Sequence, residues 1–262
     1  MSPSGYYSYK QRQPSSRQLE DAELTKKIHQ IHAESRGRYG SPRVHAMLKK
    51  QGLQIGRKRV ERLMREAGLK ARISVVIKRK PKLRHFQQAG ENLRLEAPFP
   101  SAVNQQWVAD VTYLHVNNQW RYLITIMDLY SRKIISWRLS KTKMSDDVLI
   151  VLKRAVDKRT PAAGLIFHTD RGVEFMAYSI QDELKRHGML RSYNRLGYCT
   201  DNGHMESFYH SLKGEVIRGN RFKTEFALRS ELQSYIDHFY NRKRLHSGLG
   251  YASPVEYETM AA

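Results

Sequence analysis

Trp107-Val-Ala-Asp-Val-Thr-Tyr-Leu-His115, Trp120-Arg-Tyr-Leu-Ile-Thr-Ile-Met127 and Lys133-Ile-Ile-Ser-Trp-Arg-Leu139 decide the fold. The three runs are short, aromatic and β-branched, the composition that suits a pleated, half-buried surface. Asn117-Asn118 separates the first two as a hairpin-turn signal, and Asp128-Leu-Tyr-Ser131 separates the second from the third. Three consecutive antiparallel strands are therefore expected. Downstream the period changes. A helix is expected over residues 145–157, where Val148, Leu149, Leu152 and Val156 share a face. A buried strand follows at 164–168, then a helix at about 173–187 and a short strand at 189–192. Helices at about 201–216 and 225–241 complete the order. Three antiparallel strands followed by alternating helix and strand make an α/β unit around a mixed five-stranded sheet.

Upstream the chain reads as all-α. Leu24, Ile28 and Ile31 form an amphipathic stripe, broken by Gly37-Arg38-Tyr39-Gly40. Ser41 is the expected N-cap of the next helix, with Pro42 at its first position. Val44 and Leu48 face its core, and Gly52 stops it. Residues 57–67 place Val60, Leu63 and Met64 on one face, and Gly68 ends that helix. Two short helices joined by a Gly-containing turn match a helix-turn-helix. They also match a small bundle with a solvated basic face. The charge favours the first: 262 residues carry 46 Lys+Arg against 25 Asp+Glu, a formal net charge of +21. Such an excess calls for a polyanion, and nucleic acid leads a ribosome-like scaffold or an anionic membrane. Arg57, Lys58, Arg59, Arg62 and Arg65 cluster on the second helix as candidate DNA contacts.

The expected organisation is a flexible arm (1–18), a helix-turn-helix domain (19–72), a basic linker (73–100) and a catalytic core (101–262). Residues 56–84 are dense in Lys and Arg, whereas 97–128 hold one Arg and no Lys. A single cysteine, Cys199, excludes an intramolecular disulfide framework and a Cys-based zinc finger. No run approaches the ~20 apolar residues of a membrane span. A cytoplasmic protein is expected.

Most acids need only solvation or a cap: Asp128, Asp146, Asp147 and Asp157 fall at turns, a helix start or an exposed face. Three are different. Asp110 interrupts a strand, where Asp is disfavoured, and shares a face with Val108 and Thr112. Asp170 follows Leu165-Ile-Phe-His-Thr at the end of a core strand, the usual ligand position in an open α/β sheet. Glu206 shares a helix face with His210 and Lys213. Each also has a plainer reading: an edge acid paired with Arg, a turn residue and a surface Glu. Three carboxylates would suit hard Mg²⁺, and a basic chain holding an acidic cluster is what polynucleotide chemistry requires.

Trp107-Val-Ala-Asp110, His168-Thr-Asp-Arg-Gly172 and Asp201-Asn-Gly-His-Met-Glu-Ser-Phe208 resemble the catalytic blocks of DDE transposases and retroviral-type integrases. Between Asp170 and Glu206 lie 35 residues, the spacing of that group. More narrowly, the chain resembles the OrfB product of the bacterial insertion-sequence-three family. Ser4-Gly-Tyr-Tyr7, Tyr39-Gly-Ser-Pro-Arg43, Leu196-Gly-Tyr-Cys-Thr-Asp-Asn202 and Tyr240-Asn-Arg-Lys-Arg-Leu-His-Ser-Gly-Leu-Gly-Tyr251 supply four further blocks.

The resemblance implies an RNase H-like core, with Asp110, Asp170 and Glu206 holding two Mg²⁺ or Mn²⁺. It implies nicking at the element's end to free a 3′-OH, then strand transfer by that 3′-OH, through a circular intermediate. The implied partners are terminal inverted repeats, target DNA, further copies of the chain, and an upstream OrfA frame joined by frameshift. Arg43 falls in the family's helix-turn-helix block. Lys213 matches a basic position that contacts DNA near the scissile phosphate, though a solvated Lys is its plain reading. His168 and Asn202 are expected to serve architecture. The chain departs from the family at Arg191-Ser-Tyr-Asn-Arg195, Gly203-His204 and Val173-Glu174-Phe175. Two other readings are a DNA-binding protein without catalysis and a host nuclease of RNase H type.

Overall fold

A capping box starts the first helix. In the computed structural model, which describes residues 13–72, 90–196 and 198–260, the Gln18 N–H donates to the Ser15 hydroxyl at 3.3 Å and the Ser15 N–H donates to Gln18 Oε1 at 2.7 Å. Helix α1 therefore spans Ser16–Glu34. The expected arm thus loses residues 16–18 to the helix, because Ser15 and Gln18 satisfy its first free N–H groups. Residues 1–12 of that arm, with the Ser4–Tyr7 block, and residues 73–89 of the expected linker lie outside the described residues.

The chain divides into two compact units, Met1–Ile73 and Ser74–Ala262. In the first, α2 (Ser41–Lys50) and α3 (Arg57–Glu66) follow α1. Gly40, not Ser41, is the N-cap of α2, and Pro42 sits in its first turn. Gly52 and Gly68 follow α2 and α3 with φ of +83° and +68°, the left-handed stop that Gly adopts without strain. Ile28, Ile31, Val44, Leu48, Val60, Leu63 and Met64 are buried and form the core of this unit.

The second unit runs α4 (Leu93–Glu96), β1 (Gln106–Val116), β2 (Gln119–Asp128), β3 (Ile134–Ser140), α5 (Ser145–Arg159), β4 (Ile166–Thr169), α6 (Tyr178–Arg186), β5 (Leu190–Tyr193), α7 (Gly203–Leu212), α8 (Glu225–Gln233) and α9 (Pro254–Met260). The sheet order is β3-β2-β1-β4-β5. β1, β2 and β3 pair antiparallel, while β4 runs parallel to β1 and β5 to β4. This is the RNase H-like arrangement. Asn117 and Asn118 both take positive φ, as a two-residue hairpin of matching twist requires.

One sheet face carries Trp107, Ala109, Ile124, Ile126 and Phe167 against Val148, Val151, Leu152 and Ala155 of α5 and Ile180 and Leu184 of α6. On the other, the Tyr209 hydroxyl of α7 donates to the Asp110 carbonyl at 2.6 Å and bonds Thr125 Oγ1 at 2.7 Å. Asp128 is buried rather than solvated. Its carboxylate accepts the N–H groups of Asn104 (2.7 Å), Tyr130 (3.0 Å) and Ser131 (3.2 Å), which fixes the β2–β3 turn.

Three expected helices differ in form. The one at 173–187 is a 3₁₀ turn, Val173–Phe175, followed by α6. Those at 201–216 and 225–241 end in π-helical stretches, Lys213–Ile217 and Ser234–Tyr240. Glu215 and Tyr235 sit in these wider turns and bond each other at 3.0 Å. Among the described residues no helix is long and apolar enough to cross a membrane.

Candidate active site

β1 and β4 set the first two carboxylates. Their parallel register pairs Val108 with His168 and Ala109 with Thr169. Asp110 is the next residue of β1 and Asp170 the first residue past the end of β4, so the two follow directly from a paired position. Asp170 Oδ1 accepts the Gly172 N–H at 3.0 Å. A side chain at Gly172 would begin 3.0 Å from Asp170 Oδ1 and 2.9 Å from Glu174 Cδ. Only glycine lets these two carboxylates close on that turn.

Glu206 comes from the first turn of α7 and is exposed. The start of that helix is tied down. Asn202 donates from Nδ2 to the Ala109 carbonyl at 3.3 Å, beside Asp110. Asp201 takes Asn92 (2.8 Å) and Arg195 (2.9 Å), while Arg94 donates to the Asp201 carbonyl at 2.7 Å. The Arg195 guanidinium holds the Asp201 carboxyl down at about 2. Asn202 is thus a tether rather than a side-chain cap.

The far end of α7 is held as firmly. Arg244, in the C-terminal signature, donates to Glu215 at 2.8 Å and to Ser211 Oγ at 3.0 Å, and the pair is buried. Gly248 of the same signature lies against the Arg132 guanidinium, which any side chain there would overlap. Arg132 also acts on His204 of α7, whose ring burial first and Arg132 second lower to about 4. The signature thus packs against the helix that carries Glu206 and bonds its last turn.

The electrostatics mark one site. Burial, then the charge of Asp170, hold the Asp110 carboxyl well above the usual carboxylate range. The Val111 N–H, 2.7 Å from Asp110 Oδ1, works against that, and Glu206 and Glu174 add repulsion. Packing around Lys213 lowers its ammonium from the ordinary value, and the charge of Asp110 opposes the shift.

Among the described residues no three Asp, Glu, His or Cys side chains already enclose an ion. Among the described residues the three carboxylates do not close into one ligand cluster; Asp110 and Asp170 follow the last β1–β4 pair, and Glu206 comes from α7. The donors nonetheless fit a hard divalent ion, being carboxylate oxygens throughout. The buried Asn202 Oδ1 accepts no hydrogen bond, and the charge crowding around Asp110 is what a cation relieves.

His168 is architectural. Its buried ring joins Ser192 Oγ (2.8 Å) to Asn194 Oδ1 (2.7 Å) across β4 and β5, and burial lowers it to about 4. Glu174 is the residue sequence reasoning passed over. It is buried, paired with Lys143 at 3.0 Å, and is the third carboxylate acting on Asp110, after Asp170 and Glu206. Its only signal was that 173–175 depart from the family pattern.

In the helix-turn-helix unit, Arg57 and Lys58 are exposed at the start of α3. Arg43 lies 5.8 Å from the Tyr39 ring centroid. Arg59 and Arg62 are engaged within the unit. Arg59 pairs with Asp21 and Glu20 at 2.6 and 3.0 Å, and Arg62 with Asp21 and Glu66 at 2.5 and 3.0 Å.

Residues 100–199 and 206–261 each match an integrase core domain family, and residues 18–79 an HTH-like domain. The chain is 36% identical over 252 residues to the transposase for insertion sequence element IS904 of Lactococcus lactis subsp. lactis, covering 94% of this chain and 98% of that protein. It is 35% identical over 257 residues to transposase InsF for insertion sequence IS3A of Escherichia coli, covering 97% and 89%. Among solved structures, a chain of the simian T-cell lymphotropic virus intasome aligns with a TM-score of 0.49 at 13% identity, over 88% of this chain and 74% of that one. The catalytic core domain of BIV integrase aligns with a TM-score of 0.45 at 20% identity, over 60% and 95%.

Proposed function

The chain belongs to the insertion-sequence-three family of DDE transposases, polynucleotidyl transferases with an integrase core, and on that premise we propose that Asp110, Asp170 and Glu206 are its catalytic carboxylates. The carrying observation is the β1–β4 register, whose last pair, Ala109–Thr169, is followed by Asp110 on β1 and by Asp170 just past β4, with Glu206 close enough to raise the Asp110 carboxyl. The trio would hold two Mg²⁺ or Mn²⁺. When bound, such ions activate an attacking oxygen and stabilise a leaving one.

The reaction is two in-line displacements at phosphorus. In the first, water forms the new P–O bond and the bond to the 3′-oxygen at the element's end breaks, freeing a 3′-OH. In the second, that 3′-OH attacks a phosphodiester of the target, whose own 3′-oxygen departs. The chain contributes position and charge rather than covalent chemistry. Asn202 and the Arg244–Glu215 pair orient α7. Lys213 would hold a phosphate oxygen beside Asp110. Lys143 neutralises Glu174, so the site carries one negative charge fewer.

The helix-turn-helix unit would grip the terminal inverted repeat. Arg43, Arg57 and Lys58 are its phosphate contacts. DNA roles for Arg59 and Arg62 compete with the ion pairs they already make. In keeping with family behaviour, two copies of the chain would hold two element ends in the cytoplasm, with an upstream OrfA frame fused ahead.

The test is an oligonucleotide carrying the terminal repeat, incubated with Mg²⁺ and protein. Wild type is expected to nick the end and join it to a second duplex, while Glu206→Gln binds without reacting. Equal behaviour of the two proteins would leave a DNA-binding protein without catalysis.

A further inference from the structure

β1 outruns its neighbour. Pairing with β4 ends at Ala109–Thr169, so from Asp110 to Val116 the strand pairs with β2 alone. Along this stretch Thr112, Leu114 and Val116 are buried, and Tyr113 and His115 point the other way and are exposed. Across the hairpin Tyr113 pairs with Tyr122 and His115 with Trp120. The ring centroids lie 5.2 Å apart for Tyr113–Tyr122, 5.0 Å for His115–Trp120 and 6.4 Å for Tyr113–Trp120, edge to face.

Cross-strand packing accounts for the edges that meet. It does not account for exposing 57% of Trp120 and 41% of Tyr113. Ser140 continues the row beside Tyr122, and the chain then runs through Lys141 and Lys143. Residues 138–143 hold three cations and no acid. Lys143 also reaches the Tyr113 hydroxyl. Arg138 and Lys143 pair with Asp147 and Glu174, and Lys141 is exposed; aromatic faces beside an exposed cation suit unpaired bases on a phosphate backbone, since every base has a face to stack.

We propose that Tyr113 and Trp120 form a stacking platform for unpaired bases of the DNA strand next to the reacting phosphate. Tyr113 lies three residues beyond Asp110, about 10 Å along β1, a reach of roughly three nucleotides. The open edge of β1 joins the two faces. The inference rests on the chain acting on DNA, not on which carboxylates react.

The test uses the full chain bearing Glu206→Gln, so that binding is read without chemistry. Two DNAs are compared, one fully paired and one with a three-nucleotide unpaired flank carrying 2-aminopurine. Quenching of 2-aminopurine in the flank is expected. Trp120→Leu and Tyr113→Leu should weaken binding of the flanked DNA by about 5- to 150-fold, as loss of one base–aromatic stack does. The fully paired DNA should be little affected, and Trp120→Phe should retain most of the binding. An unquenched flank overturns the proposal even if a variant fails to fold. Equal weakening on both DNAs also overturns it. So does a Trp120→Leu protein that loses self-association in sedimentation yet keeps its preference for the flank, which would give the patch to a second copy.

Discussion

Replacing Arg244 by Leu removes one half of a buried ion pair that holds the helix bearing Glu206. Arg244 Nε lies 3.2 Å from both Glu215 oxygens, and its Nη2 lies 2.8 Å from Oε1 and 3.0 Å from Ser211 Oγ. Both side chains are 7% exposed. Breaking such a pair from one side leaves a charge in a site water cannot fill, at about 3–5 kcal/mol. Glu215 keeps the Tyr235 hydroxyl at 3.0 Å, which places the loss in the lower part of that range, about 3–4 kcal/mol. For a unit of this size that is a fall in melting temperature of roughly 6–16 °C. The assay is far-UV circular dichroism on wild type, Arg244→Leu, Glu215→Leu and the double variant. The double variant should recover most of the loss, because an apolar pair of similar volume is often as stable as the ion pair it replaces. A single variant melting within about 2 °C of wild type would refute the reasoning. So would a double variant less stable than either single one.

Burial holds His168 at about 4 against an ordinary 6.5, so its contribution to stability is complete above 6.5 and is lost as the pH falls towards 4. That loss is worth about 3 kcal/mol, and melting curves of His168→Gln should show a shallower fall over this window than wild type. Asp110 titrates with the opposite sign, which is why the difference between the two proteins is the quantity to read. Asp110→Asn should raise the melting temperature in metal-free buffer near neutral pH, since it removes a charge crowded by Asp170, Glu206 and Glu174. Millimolar Mg²⁺ should then stabilise wild type and not the variant. Arg57→Ala and Lys58→Ala should each lower the salt dependence of DNA binding by about one unit of slope, read by fluorescence anisotropy across salt concentrations.

The strands were legible because their residues have few alternatives. Trp107-Val-Ala and the Ile124–Met127 run suit little but a buried sheet, and Asn117-Asn118 can take the two positive φ angles of the hairpin. Asp110 stood out since a carboxylate inside such a strand needs a reason. What stayed hidden depends on partners distant in sequence. Nothing local to Glu215 shows that it meets Arg244, or that two π-helical turns form where Glu215 and Tyr235 bond. Arg59 and Arg62 read as DNA contacts because the 37 residues between Asp21 and Arg59 conceal their pairing. Glu174 read as the start of a helix that varies the family block, until Lys143 and Gly172 placed it beside Asp170.

The central claim is that Asp110, Asp170 and Glu206 act as one centre. Single-turnover strand transfer with Mg²⁺ tests it most directly, comparing Asp110→Asn, Asp170→Asn and Glu206→Gln with the variant carrying all three. Groups that work as a unit are not additive, so each single variant should fall to the same floor as the triple one while still binding the terminal repeat. Losses that add from one substitution to the next, or a single variant that retains wild-type transfer, would contradict the account.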